Sequence, residues 1–238
     1  MQPALTDAHK STPDQIRTLH APSTPVILRE LPQNDLQRLE SLNLLNFHLQ
    51  LQPCSDLQGV LGAGQTLKRL HLHDCTLLEG EEGLAEALSA LPSLQHLSVS
   101  GCTTEDGELF AFPSVALQAL QQLTYLQLSF SGKQCADPDS MYHWQCLTSL
   151  QELHMHFRDA YVVEAGMLLG SEQLTRLELW GQGVCPKLEL GCLAGSTRLQ
   201  HLALVSCSIQ GEYLRHARHS LLRNLDFFPL SCISPKTG

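Results

Sequence analysis

Aromatic residues occupy only 5% of the 238 positions and charged residues only 16%. With so few rings, the 43% apolar share must be mostly aliphatic, and leucine dominates it. A composition this rich in one side chain suits stacked repeats better than the varied walls of a catalytic pocket. Long apolar runs are also missing. None approaches the roughly 18 residues that a membrane span needs, so none is expected. The first 25 residues are polar and broken by proline, without the apolar stretch of a secretory signal, and a soluble, non-exported chain is expected. Cations are scarce: 15 Lys plus Arg stand against 24 Asp plus Glu, for a formal charge of −9. That balance makes nucleic acid and anionic membrane surfaces poor expected partners.

The nine cysteines are odd in number and scattered in spacing, which argues against a disulfide framework. Reduced, buried thiols in a cytoplasmic protein fit better, with the nucleus as alternative. No Asn-x-Ser/Thr acceptor occurs.

What is present is a repeat. The frame LxxLxLxxC, with close variants, begins at Leu39, Leu67, Leu94, Leu123, Leu150, Leu174, Leu199 and Leu222, at spacings of 28, 27, 29, 27, 24, 25 and 23. Within each frame the Leu-x-Leu alternation is that of a strand, one set of side chains pointing in and the other out. A strand this short cannot bury its inner face alone. Side-by-side stacking solves that, giving a parallel sheet with return segments on the opposite, convex side. Between Leu72 and Leu94, the stretch 81–90 puts Leu84, Leu88 and Leu91 on one face of a predicted helix, and Pro92 stops it. Repeats shorten after Leu150, so the convex side is expected to thin and the curvature to relax toward the C-terminus.

The segments "LKRLHLHDC", "LQHLSVSGC" and "LQHLALVSC" resemble the cysteine-containing and ribonuclease-inhibitor-like classes of leucine-rich repeat. The resemblance covers residues 36–232. It implies an α/β horseshoe-shaped solenoid, with a concave parallel β-sheet and convex helices or irregular turns. It also implies that Cys75, Cys102 and Cys207, at the ninth repeat position, pack their thiols against the backbone turn leaving each strand. Other repeats carry Phe47, Ser131, Arg158, Gln182 and Leu230 there. Residues 1–35 read as a disordered or irregular N-terminal cap, and 233–238 as a short tail. So little chain follows Phe228 that self-association through a weakly capped C-terminal end is one expectation.

Function is expected on the concave face, whose outward residues form columns. The residue before the second leucine anchor is Ser41, Arg69, His96, Tyr125, Glu152, Arg176, His201 or Asn224; between the second and third anchors stand Asn43, His71, Ser98, Gln127, His154, Glu178, Ala203 and Asp226. After the third come Leu45, His73, Ser100, Ser129, His156, Trp180, Val205 and Phe228. The expected partner-binding set is Arg69, His71, His73, His96, Tyr125, Gln127, His154, His156, Arg176, Glu178 and Trp180. Tyr125, Phe130, Phe157 and Trp180 are the aromatics expected to be exposed, and such rings anchor interfaces disproportionately.

His71, His73 and His96 have the proximity for a metal ion, and His154 and His156 repeat the pattern. No carboxylate or thiolate completes either set, so polar surface residues are the expected reading and no metal is assigned. The stretch "GVLGAGQT", with Gly59, Gly64 and Thr66, nearly spells a phosphate-binding loop, but Gln65 replaces its lysine and a strand follows it, where in such loops the strand comes first. Cys135, His143 and Cys146 lack a fourth zinc ligand nearby. No cofactor and no enzymatic activity are therefore expected. The leading expectation is a protein-interaction scaffold with a protein partner of unknown identity. The resemblance suggests two rivals: the substrate-recognition subunit of an F-box-type ubiquitin ligase, though no F-box is recognisable in "ILRELPQNDLQRLESL", and a structural or regulatory protein of the cytoskeleton or cilium.

Overall fold

A computed structural model describes residues 17–20, 40–46, 48–49, 66–77, 80–108, 110, 112–130, 143–157, 162–163, 168, 170–181, 187–189, 193 and 196–210. Its main element is an eight-stranded sheet of β1 (Arg17–His20), β2 (Ser41–Leu45), β4 (Arg69–His73), β6 (His96–Ser100), β8 (Tyr125–Phe130), β9 (Glu152–Phe157), β11 (Arg176–Gly181) and β13 (His201–Val205), in that spatial order. Every neighbouring pair is parallel. From β2 to β13 the register sets leucine anchor against leucine anchor: Leu42, Leu70, Leu97, Leu126, Leu153, Leu177 and Leu202 form one row. All are nearly or fully buried. The eighth predicted repeat, from Leu222, lies outside the described residues.

The entry to each strand is built the same way each time. Glu40 O accepts both Lys68 N and Arg69 N, Lys68 O accepts Gln95 N and His96 N, and Gln95 O accepts Thr124 N and Tyr125 N; the pattern continues through Thr124, Gln151 and Thr175. One carbonyl thus serves two amides of the next repeat, leaving no orphan donor where the buried first leucine turns the chain inward.

Exits differ. Asn46, Asp74, Gly101 and Ser206 hold positive φ of 61°, 52°, 65° and 52° just after the strand. Short polar side chains and glycine tolerate this left-handed turn best. Behind it Cys75 Sγ lies 3.4 Å from both Leu44 O and His73 O, and Cys207 Sγ 3.3 Å from Leu179 O and Val205 O. Cys102 does the same with Leu72 O and Ser100 O at 3.7 and 3.6 Å. The thiol therefore cross-links two successive repeats through their carbonyls. Hydrogen bonding with Cys75, and then burial, push the Cys102 thiol up from its ordinary range, away from the reactive thiolate. All three thiols should resist a maleimide in the native chain and react once it is denatured; labelling followed by mass spectrometry of the peptides checks this.

Repeats four, five and six lack the turn, Gly181 closing β11 in register with Phe157. Phe130 and Phe157 occupy the turn's position, β8 and β9 run one residue further, and the two phenylalanines pair in register. Strand alternation then carries Phe157 inward, where it is fully buried. The expectation that Phe157 is an exposed interface aromatic is corrected accordingly: a β-favouring ring stands where the other repeats place a turn-former. The side chain of Phe130 lies outside the described residues.

Two small parallel sheets flank the main one: β3 (His48–Leu49), β5 (Thr76–Leu77) and β7 (Thr103–Thr104), and β10 (Val162–Val163), β12 (Lys187–Glu189) and β14 (Ser208–Gln210). On the return side, α1 (Gly80–Ser89) is the helix expected from periodicity, burying Leu84 and Leu88 with Leu91 just beyond. The next return has only a 3₁₀ segment, Ser114–Ala119, burying Ala116 and Leu117. Three positions before the first anchor, Leu91, Leu120 and Leu147 give way to Ser171 and Ser196, equally buried, whose hydroxyls lack a hydrogen-bond partner. Ser171→Ala and Ser196→Ala should each raise stability by about 1 kcal/mol, because they remove a desolvated, unsatisfied group. Chemical denaturation midpoints of the two variants test it.

Candidate functional site

The sheet register assembles the predicted columns. Arg69, His96, Tyr125, Glu152, Arg176 and His201 pair in sequence across six strands; His71, Ser98, Gln127, His154, Glu178 and Ala203 form the second row. His156 and Trp180 pair in the third, as do His73 and Ser100. Three members of the columns do not reach the surface as expected: Ser41, Ser98 and Ala203 are buried.

A continuous row of rings crosses β4 to β9. His71 and His96 lie with centroids 4.9 Å apart, His96 stacks on Tyr125 at 3.8 Å with planes 2° apart, and Tyr125 meets His154 at 5.1 Å. The row zigzags between the first two columns, since His96 and Tyr125 come from one and His71 and His154 from the other. Burial, and then Arg69, push His71 down from its ordinary value. Burial first, with the charges of His71, Arg69 and His154 behind it, takes His96 down to about 4. His156 is lowered by burial and by His154. At neutral pH these three imidazoles are therefore uncharged, which lets them stack closely and act as hydrogen-bonding rings. Burial and the carboxylates of Glu152 and Glu178 push the Tyr125 phenol up, so it keeps its proton and donates to Gln127 Oε1 at 2.9 Å.

The row ends on a polar hub. Glu178 Oε1 accepts from Arg176 Nε at 2.8 Å and Nη2 at 2.6 Å, and His201 Nε2 stands 3.4 Å away. Its Oε2 is 2.9 Å from His154 Nδ1 and accepts from Trp180 Nε1 at 3.4 Å. One carboxylate thus gathers side chains from β9, β11 and β13. Burial opposes its charge, but the hydrogen bonds from Arg176 and His154 prevail and hold it at about 2. The other nitrogen of His154 is buried without a hydrogen-bond partner, with Glu152 Oε2 3.6 Å off. Trp180 stacks on His156 at 5.8 Å and 10° and remains 38% exposed, the larger of the two flat surfaces of this end.

The eleven residues predicted for the partner surface all lie on these strands. They form two groups: Arg69, His71, His73, His96, Tyr125 and Gln127 on β4–β8, and His154, His156, Arg176, Glu178 and Trp180 on β9–β11. His73 is apart from the ring row, its Nδ1 2.7 Å from Ser100 Oγ. His201, absent from the predicted set, joins through Glu178; its place in the first column was the available signal. Among the described residues no group of three His, Cys, Asp or Glu is placed to hold a metal ion. His143, considered with Cys135 and Cys146, has its Nδ1 3.0 Å from Ser114 Oγ, and Cys135 lies outside the described residues, as do Gly59 and Gly64.

No family model and no curated protein matches the sequence. Solved structures similar in fold include internalin C2 from Listeria monocytogenes, 18% identical over 83% of this chain and 84% of that one, with a TM-score of 0.49. A chain of the octameric complex of Latrophilin 3, Unc5D and FLRT2 (LRR) is 17% identical, with 98% of this chain and 89% of that one covered and a TM-score of 0.46. The TLR13–ssRNA13 complex is similar at 19% identity and a TM-score of 0.44, over 90% of this chain; this chain spans 36% of the length of the TLR13 chain. The in-register leucine rows, the repeated one-carbonyl entry and the cysteine-backed exit turns identify this chain, by its own geometry, as a leucine-rich-repeat solenoid.

Proposed function

We propose that the chain is a non-catalytic protein-interaction scaffold whose partner sits on the inner, strand-lined face. The supporting observation is the concentration there of stacked rings, a guanidinium and an exposed tryptophan on adjacent rigid strands, ending at Glu178. Such a surface offers flat apolar area with fixed polar direction, which is how interface anchors work. Among the described residues the sheet is open, with no walls to exclude water from a reacting centre, which suits binding better than catalysis. The three backbone-capped thiols suit a reducing compartment, and the proposed location is the cytoplasm.

The test is affinity capture from the native cell with the full chain, followed by mass spectrometry and then titration of the identified partner. Tyr125→Ala and Trp180→Ala should each weaken that partner by about 2 kcal/mol, near thirtyfold, if they act as anchors. Glu86→Ala, on the exposed side of α1, should bind like the parent. Binding lost on the Glu86 change and kept on the other two would move the functional surface to the convex side.

A further inference from the structure

The two halves of the concave face differ in charge and in hydrogen-bonding balance. On β9–β13 the outward columns hold two carboxylates, Glu152 and Glu178, against one guanidinium, and Glu178 takes Arg176 and His154. On β2–β8 the outward columns hold no carboxylate, since their members are Ser41, Asn43, Leu45, Arg69, His71, His73, His96, Ser98, Ser100, Tyr125, Gln127 and Ser129. The acids around it are Glu40, which pairs with Lys68 at 3.3 Å, Asp74, which stands 3.6 Å from His73, and Glu152 on β9, the register partner of Tyr125. Arg69 is exposed, and among the described residues no ion pair engages it. In a chain of net charge −9 this is a local reversal of sign.

Donors are at hand there. The Gln127 side-chain oxygen receives the Tyr125 hydroxyl at 2.9 Å, and the exposed guanidinium of Arg69 shares β4 with His71, whose ring, like that of His96, carries an N–H. Burial is the first cause that lowers His71 and His96, and the guanidinium of Arg69 adds to it in both. A surface with an unpaired cation, N–H donors beside it and no carboxylate of its own is complementary to carboxylates.

Resting on the concave-face reading above, we infer that the β4–β8 part receives an extended acidic segment of the protein partner, its Asp or Glu carboxylates meeting Arg69 and the His71–His96 pair. Arg69 and His71 share β4, two residues or about 7 Å apart, and His96 is on the next strand, about 4.8 Å away. An extended peptide covers such a distance in two residues, at about 3.4 Å each, so two acidic side chains on one of its faces reach the two groups at once. A nucleic acid fits less well, because one unpaired arginine releases too few counterions to hold a phosphate backbone against the chain's acidity.

The probe is a fluorescein-labelled ten-residue Asp/Glu-rich peptide, titrated by anisotropy into the full chain beside its Asn/Gln and Lys/Arg counterparts. The acidic peptide should bind about tenfold tighter than the amide version and lose that advantage between about 50 and about 500 mM salt. Arg69→Gln should remove most of it, while Arg198→Gln, an exposed arginine outside the columns that hydrogen-bonds Gln173, should remove little. Equal binding of the acidic and amide peptides, preference for the basic one, or a single-stranded RNA that binds tighter than the acidic peptide in an Arg69-dependent way would each overturn the inference. An identified partner that needs Tyr125 and Trp180, yet ignores both Arg69→Gln and competition by the acidic peptide, overturns it while leaving the interaction-scaffold reading intact. A partner indifferent to Tyr125, Trp180 and Arg69 alike defeats that reading as well.

Discussion

Leu126→Asp should abolish the cooperative unfolding transition of the central repeats, at a cost on the order of 4 kcal/mol or more. Leu126 is fully buried, with Leu97 and Leu153 as its in-register neighbours on β6 and β9. A carboxylate there has apolar neighbours on both sides and no partner. Because a repeat solenoid is held together by contacts between successive repeats, failure of one internal row separates the array on either side of it. Ser129→Asp is the matched control, three residues on and on the opposite side of the same strand, and should cost about 0.5 kcal/mol or less. Circular-dichroism melts of both variants decide the matter. A one-residue error of register exchanges the two faces of a strand, so a melt of Leu126→Asp indistinguishable from the parent would mean that the leucine row is not the core.

The fold was legible because burial is enforced by a spacing. Leucines three and two apart, recurring every 23 to 29 residues, leave few other ways to hide the apolar face of a five-residue strand. Strand alternation then delivers the columns: that Tyr125 stands beside His96 and Glu152 follows from counting outward from the anchors. β1 escaped notice for the complementary reason. Arg17 pairs with Leu42, so a charged residue stands where the other strands carry their second leucine, and only Leu19 against Leu44 keeps the pattern. Its pairing is carried by backbone hydrogen bonds, which leave no periodicity to find.

The site was legible by position and not by interaction. Glu178 counts as one column member among many until its neighbours are seen, because the arrangement depends on rotamers that bring His154 from β9 and His201 from β13 toward one carboxylate. Phe157 shows the reverse. Its ring looked available because the repeat frame assigns that position to a turn, but β9 runs on through it and strand alternation turns the side chain inward.

Glu178→Ala should destabilise the β9–β13 end by about 3 kcal/mol, beyond what an ordinary surface change costs, because it strips one shared acceptor from several donors at once. Arg176 loses both of its short hydrogen bonds, and His154, whose side chain is only 13% exposed, is left with neither ring nitrogen hydrogen-bonded. Trp180 loses the acceptor that fixes its indole, so its emission should shift while that of buried Trp144 stays put. The pH dependence carries the sign. A carboxyl held at about 2 in the folded chain, against an ordinary value of 4.5, contributes stability that is fully present above about 4.5 and is lost as pH falls toward 2. The parent should therefore lose denaturation midpoint through that window, and Glu178→Gln should lose less of it, having no proton to take up. Parallel acid-unfolding curves for the parent and Glu178→Gln would place the shared carboxylate elsewhere, since a group that anchors Arg176 and His154 together has to leave its mark on the titration.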